Sequence, residues 1–225
     1  MSGCCAIVEP RQHQALPFVL HRVKASLPPE WPLHIFHGRN NVEFVHEAAV
    51  GLEPVSFHNL YCKNLSIRGY NRLLTKPSFY RHFKTVDYVL IFQTDSMMFP
   101  HSPFSITDFF GYDYVGAPWK WHTEADPTKR GGNGGLSLRK VDSMIHILET
   151  YPYLRDQPLN EDLYLCNLPL KLPPLEVAQR FSVESLYYPC PLAVHKPWIY
   201  LSAEEYLKMV RYAPAMKTLV DLNEP

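Results

Sequence analysis

Four polar clusters in this 225-residue chain combine residue types suited to binding or chemistry. The first is Gln93-Thr94-Asp95-Ser96, which closes the apolar run Tyr88-Val89-Leu90-Ile91-Phe92. Such a run reads as a strand buried on both faces, and a carboxylate delivered at its C-terminal end points into the crevice where α/β sheets bind ligands. The second is Gly131-Gly132-Asn133-Gly134-Gly135, whose small residues let backbone N–H groups approach a ligand closely. The third, Asn160-Glu161-Asp162, sets two adjacent carboxylates at a helix start, where the dipole favours negative charge. The fourth is His195 in Ala193-Val194-His195-Lys196-Pro197-Trp198. Each has an ordinary alternative. Asp95 can cap a turn, the glycines can form a plain flexible turn, the acidic pair can cap its helix, and His195 can be a hydrogen-bonded structural residue.

Other chemistries lose ground on the same reading. The glycine run lacks the last Gly of a dinucleotide fingerprint, and no Gly-Lys-Ser/Thr phosphate loop occurs. His46-Glu47-Ala48-Ala49-Val50 lacks the second His of a zinc-protease helix, and no Gly-x-Ser-x-Gly elbow is present. Lys plus Arg equals Asp plus Glu at 22 each, so there is no net field to hold nucleic acid or an anionic membrane. The five cysteines (Cys4, Cys5, Cys62, Cys166, Cys190) have no CxxC spacing and read as reduced, mostly buried thiols. No apolar run reaches membrane-spanning length and no leader pattern opens the chain, so a soluble, cytoplasmic protein is expected.

The elements that must position these clusters follow from periodicity. Cys4 to Val8 is a first strand, and Leu16, Val19, Leu20, Val23 and Leu27 recur at helical spacing with Pro17 in the first turn. Leu33 to His37 is a second strand, so the chain opens β-α-β, the start of a parallel sheet. A weak helix over 42–49, a strand over 55–60 and a helix carrying Ile67, Tyr70, Leu73 and Leu74 lead to the central strand. Tyr112 to Ala117 is a further strand. Residues 120–130 and the glycine run read as a mobile loop, with Leu136 to Arg139 a short strand after it. Val141, Met144, Ile145 and Leu148 mark an amphipathic helix. Phe181–Glu184 and Leu192–His195 are short strands, and Ser202 with Glu205 forms a capping box for the last helix. The fold expected is α/β: a mostly parallel twisted sheet with helices on both faces, one short antiparallel excursion near the glycines, and a single domain over 1–225.

Taken in order, the four clusters resemble the GT-A glycosyltransferases, and most closely the domain-of-unknown-function 5672 family. That family shares the Gln-Thr-Asp-Ser strand end, the Tyr-Asp-Tyr-(Val/Ile)-Gly-Ala-Pro-Trp segment and the Gly-Asn-Gly-Gly-Leu-Ser-Leu-Arg run, here residues 93–96, 112–119 and 132–139. The resemblance implies a GT-A-like fold and transfer of a hexosyl or related sugar from a nucleoside-diphosphate sugar to an acceptor hydroxyl, with inversion. It implies metal ligation by Asp95 and His195, with Mn²⁺ before Mg²⁺, because imidazole plus carboxylate suits manganese better. Asp162 is the implied catalytic base and Glu161 the reserve. Donor contacts fall to Glu9, Pro10, Arg11, Tyr70, Asn71, Gln93, Thr94 and Ser96, and the glycine loop Gly132, Asn133, Gly134, Gly135 would close over the donor. Trp119 and Trp121 are suited to stacking on a sugar. Residues to about 100 would bind the nucleotide and the remainder the acceptor. One departure is plain: the first acidic position of the family's DxD motif is Gln93. It keeps open a binding module without catalysis, and behind that a nucleotidyltransferase, which would need paired carboxylates for two metals.

Overall fold

The computed structural model describes residues 1–121 and 131–224. Its central sheet has six strands: β1 (Gly3–Glu9), β2 (Leu33–His37), β3 (Val55–Asn59), β4 (Tyr88–Phe92), β6 (Tyr114–Pro118) and β7 (Gly132–Lys140), in the order β3-β2-β1-β4-β7-β6. The pairs β1–β2, β1–β4 and β2–β3 are parallel, and β7 runs antiparallel to both β4 and β6. The mostly parallel sheet with one antiparallel strand is thus the expected one. A second sheet, β5 (Ser96–Met98), β9 (Ala193–His195) and β8 (Ser182–Val183), was anticipated only in its last two strands.

Alternation along the strands divides the core into two layers, because successive side chains point to opposite faces. On one face Cys5, Ile7, Leu33, Ile35, Leu90, Phe92, Leu136 and Leu138 meet α1 (Leu16–Lys24), α9 (Ala203–Tyr212) and α10 (Met216–Asp221). On the other, Cys4, Ala6, Val8, Phe36, Val89, Ile91 and Tyr114 meet α4 (Pro77–Tyr80), α5 (Val141–Thr150) and α6 (Glu161–Cys166). Every residue of β1 and β4 is buried, which accounts for their unbroken apolar sequences. The capping box is formed as expected: Ser202 Oγ accepts from Glu205 N, and Glu205 Oε2 accepts from Ser202 N. Among the described residues no helix is long and apolar enough to cross a membrane.

Strand order also places the site. The chain leaves β1 toward β2 and β3 on one side, then returns to β4 on the other, so the order reverses between β1 and β4. At such a switch point the loops beyond the two strand ends diverge and leave a crevice.

The glycine run is not the loop expected. Residues 132–135 begin β7, and the pairing with β6 jumps from Ser137 opposite Gly116 to Asn133 opposite Ala117. Residues 134–136 therefore bulge from the β6 ladder beside the crevice, a common way to re-aim a strand next to a site. The expected loop over 122–130 lies outside the described residues.

Candidate functional site

A cleft of about 340 Å³ opens at the switch point, large enough for a nucleotide-sized ligand. Its lining joins Val8–Arg11 after β1, Asn64–Ile67 with Tyr70 and Asn71 on α3 (Ile67–Leu74), Gln93–Asp95 after β4, Asn133 and Gly135 of β7, and Asn160–Asp162 at the head of α6. Of the expected donor-site residues, Glu9, Pro10, Arg11, Tyr70, Asn71, Gln93 and Thr94 all border it. Ser96 does not. It is fully buried, with its hydroxyl donating to Gly135 O at 3.0 Å and accepting from Gln93 N at 3.2 Å, so it ties β5 to β7 behind the cleft.

Four carboxylates line this space, and two carry an arginine of their own. Glu9 takes Arg11 Nε at 2.8 Å and Nη2 at 2.7 Å, while buried Asn41 donates to the Glu9 and Arg11 carbonyls and fixes the bend. Glu161 takes both terminal nitrogens of Arg139, at 2.9 and 3.0 Å, in a fully buried fork that also reaches the Tyr80 hydroxyl and Ser137 Oγ. Burial pushes the Glu161 carboxyl upward and the guanidinium opposes it. With both oxygens engaged, Glu161 is an anchor for α6 rather than a free base. That leaves Asp95 and Asp162. Asp162 accepts only backbone donors among the described contacts, Gly134 N at 3.1 Å and its own helix at Leu163 N, 2.8 Å.

Asp95 stands in the turn between β4 and β5, facing His195 at the end of β9. His195 Nε2 lies 3.2 Å from Asp95 Oδ1 and 3.3 Å from Gln93 Oε1, and His195 Nδ1 lies 3.0 Å from Glu184 Oε1. Burial alone would lower the imidazole's pKa, but the carboxylates on its two sides outweigh that and hold it at about 9. For Asp95, burial raises the carboxyl, while His195 and then Lys196 more than offset it and leave it below its ordinary value. Lys196 Nζ is 3.9 Å from Asp95 Oδ2, and its backbone is left-handed, with φ of 47°, unusual for a side-chain-bearing residue and in keeping with a functional site. Buried Glu184 and Lys196 were not among the expected site residues. The signal for Glu184 was its place at the end of a short strand whose neighbour ends in His195.

The resemblance implies a divalent metal between Asp95 and His195, and the atoms there bear on that expectation. Asp95 Oδ1 is buried and has no well-aligned hydrogen-bond partner among the described residues, although His195 Nε2 stands 3.2 Å away, so it keeps acceptor capacity that a cation could use. Glu184 holds the far nitrogen as a carboxylate holds a metal-bound histidine. Among the described residues no group of three His, Cys, Asp or Glu side chains is assembled for a metal, so the third protein donor would be Gln93. One carboxylate, one imidazole and one amide oxygen, with positions left for a ligand's oxygens, fit Mn²⁺.

The glycines serve side chains rather than a lid. A Cβ on Gly135 would collide with the His195 ring, and one on Gly134 with Glu161 Oε1. Trp119 is buried, stacked beneath Trp121 at 5.6 Å and 6°, so only Trp121, 55% exposed, has a face open to a sugar; neither borders the cleft. Asp87, the other acidic residue of the central segment, is at the far end of β4, where it accepts from Ser2 N at 2.6 Å.

No curated protein matches the sequence. Among solved structures, the apo form of the glycosyltransferase GlyE of Streptococcus pneumoniae TIGR4 is similar at a TM-score of 0.56 and 11% identity, over 99% of this chain and 63% of that one. The apo structure of the bifunctional glycosyltransferase WbbM is similar at 0.53 and 8%, over 98% and 52%. A cytidylyltransferase from Leptospira borgpetersenii serovar Hardjo-bovis (strain JB197) is similar at 0.50 and 14%, over 96% of both chains. The chain thus spans 63% and 52% of the two glycosyltransferases, and at these identities the likeness is one of fold: GT-A-like, a Rossmann-like sheet with helices on both faces. Residues 52–195, more than half of the sequence, match the family model described as Protein of unknown function (DUF5672), and the chain belongs to that family.

Proposed function

We propose that the protein is a metal-dependent glycosyltransferase that moves a sugar from a nucleoside-diphosphate sugar to an acceptor hydroxyl by direct displacement with inversion. The observation that carries this reading is the division of the four cleft carboxylates. Two are held by arginines, while Asp95 stands among cationic groups and Asp162 takes only backbone donors. The first is therefore suited to hold a cation against the leaving diphosphate, and the second to take the proton of the incoming hydroxyl.

In this reading residues to about 100 hold the nucleotide, with Val8, Pro10, Leu65 and Ile67 against its apolar parts. The diphosphate lies toward Asp95, Lys196 and Arg11. A divalent cation, Mn²⁺ before Mg²⁺, would be held by Asp95 and His195 with Gln93 beside them, and when bound it stabilises the charge gathering on the leaving group. Lys196 adds a fixed positive charge on the same side. Asp162 accepts the acceptor's proton as its oxygen bonds to the anomeric carbon, and the carbon–oxygen bond to the diphosphate breaks with its electron pair on the diphosphate. A positioned base of this kind contributes a factor of about 10²–10⁴. The Gly134 N–H and the buried Arg139–Glu161 pair hold Asp162 in place. Residues from about 101 onward, Trp121 among them, serve the acceptor.

The test is a thermal-shift screen of nucleotide sugars with and without Mn²⁺, followed by assay of nucleoside-diphosphate release. A true donor raises Tm by mass action, because it stabilises the fold by about 2.7 kcal/mol at a hundredfold excess over Kd. The reading requires Mn²⁺-dependent stabilisation by at least one donor, with diphosphate released when acceptor is present. Stabilisation without release would favour the second reading, a nucleotide-sugar-binding module, for which Gln93 in the first acidic position speaks. Release of pyrophosphate would point to a nucleotidyltransferase, against which the remoteness of Asp87 argues.

A further inference from the structure

Three consecutive residues after α10 reach three separate segments that flank the site. The Leu222 carbonyl accepts Gln14 Nε2 at 3.0 Å, three residues beyond Arg11. Asn223 Nδ2 donates to Thr94 O at 3.0 Å, one residue before Asp95. Glu224 Oε1 accepts Trp198 Nε1 at 2.7 Å, two residues after Lys196. The first and last of these bonds are exposed, where water can replace either partner, whereas the Asn223 bond is partly buried.

Asn223 is also fixed from behind. Its amide nitrogen makes a second bond to Leu219 O at 2.9 Å, at the end of its own helix, so the group is oriented before it meets Thr94. The Thr94 carbonyl and the Asp95 N–H belong to one planar peptide unit, so holding the carbonyl sets the direction of the N–H. The carbonyl of the same Asp95 accepts Lys196 N at 2.9 Å. A single amide thus orients the peptide plane on which Asp95, and through it the Lys196 turn, depends.

We propose that Asn223 is a positioning residue for Asp95: from the last helix it holds the Gln93–Asp95 turn in its ligand-binding shape. This rests on the reading of Asp95 as part of the donor site, and the test separates the two. Amide exchange is followed by NMR in the full chain at Ser96 N–H, bonded to Gln93 O at 3.1 Å, and at Lys196 N–H, with amides in the middle of β4 as reference. Mn²⁺ binding is measured alongside by calorimetry. Asn223→Ala is expected to speed exchange at both reporters by about tenfold and weaken Mn²⁺ binding several-fold, with the β4 amides unchanged. Asn223→Asp, which sets an oxygen against the Thr94 carbonyl, should do more, and Gln14→Ala should do neither. Unchanged exchange in Asn223→Ala overturns the proposal. So does faster exchange with Mn²⁺ affinity intact, since that would make Asn223 a fold contact only. Failure of the unmutated protein to bind Mn²⁺ overturns the metal reading instead, and exchange then decides the anchoring alone. Should Asn223→Ala not fold, Asn223→Ser, too short to reach both carbonyls, takes its place under the same criteria.

Discussion

His195 is flanked by Asp95 at Nε2 and Glu184 at Nδ1, and its charge state follows from them. Its pKa of about 9 in the fold exceeds the 6.5 of a free imidazole. A group raised in this way stabilises the fold fully below about pH 6.5, and the contribution fades as pH climbs through 9. The full effect is on the order of 3 kcal/mol. Urea melts between pH 6 and 10 should therefore show stability falling across that window, and Asp95→Asn should flatten the slope. On the proposed metal reading, Mn²⁺ and the proton would compete for Nε2, so Mn²⁺ affinity should rise over the same range; an affinity independent of pH would remove His195 from the ligand set. Asp162 gives a separate test. Asp162→Asn keeps the shape that accepts Gly134 N, so donor and Mn²⁺ binding should persist while transfer falls by about 10²–10⁴. Asp95→Ala should lose Mn²⁺-dependent donor binding as well. Full transfer by Asp162→Asn would place the base elsewhere.

At the scale of elements, β7 brings the two halves of the site together. One side of its bulge receives the His195 ring over Gly135, and Gly134 lies against Glu161 at the head of α6. Neither contact tolerates a Cβ, and overpacking a buried position costs about 1–3 kcal/mol. Gly135→Ala should chiefly weaken Mn²⁺ binding by displacing His195. Gly134→Ala should leave Mn²⁺ binding near its original value and depress transfer by shifting Asp162. Equal effects of both on both readouts would argue against this division of labour. The same strand marks where the sequence stopped being readable. Strands buried on both faces announce themselves as apolar runs, so β1, β2 and β4 and the order of the clusters were legible. Four glycines in five residues carry no periodicity, and strand and loop look alike there; only the neighbours, a histidine ring and a carboxylate, explain them. Ser96 and Trp119 were misjudged for a related reason: residue type shows that a group can bind, whereas burial decides which way it faces. Glu184 and Asn223 escaped notice because the partners that define them are 11 and 129 residues away in the chain.

Across the whole molecule, Arg139 is the point where sheet and helices are tied. It sits on β7 with no exposure, donates both terminal nitrogens to Glu161 of α6, reaches the Tyr80 hydroxyl of α4 at 2.8 Å, and stacks over the Tyr114 ring of β6 at 5.2 Å. A buried ion pair is weak evidence for stability, because the Coulombic gain is set against the loss of hydration of both charges. Its two kinds of removal therefore differ. Arg139→Met strands a buried carboxylate and should destabilise by about 3–5 kcal/mol. In a chain of this size that lowers Tm by roughly 6–20 °C. The paired Arg139→Met/Glu161→Leu variant removes both charges together and should recover most of that loss, since apolar replacements of buried pairs are often neutral or better. Function should not recover with it. Without the fork, the Gly134 N–H bond to Asp162 is the one polar tie between β7 and the first turn of α6 among the described residues, so transfer should stay depressed while Mn²⁺ binding, proposed for the other end of the site, should remain near normal. Melting curves and transfer rates on the same two variants decide the matter. A double variant that regains both stability and turnover would reduce the Arg139–Glu161 pair to a fold contact, and a double variant as unstable as the single would show that Tyr80 and Ser137, not Glu161, are the partners that count.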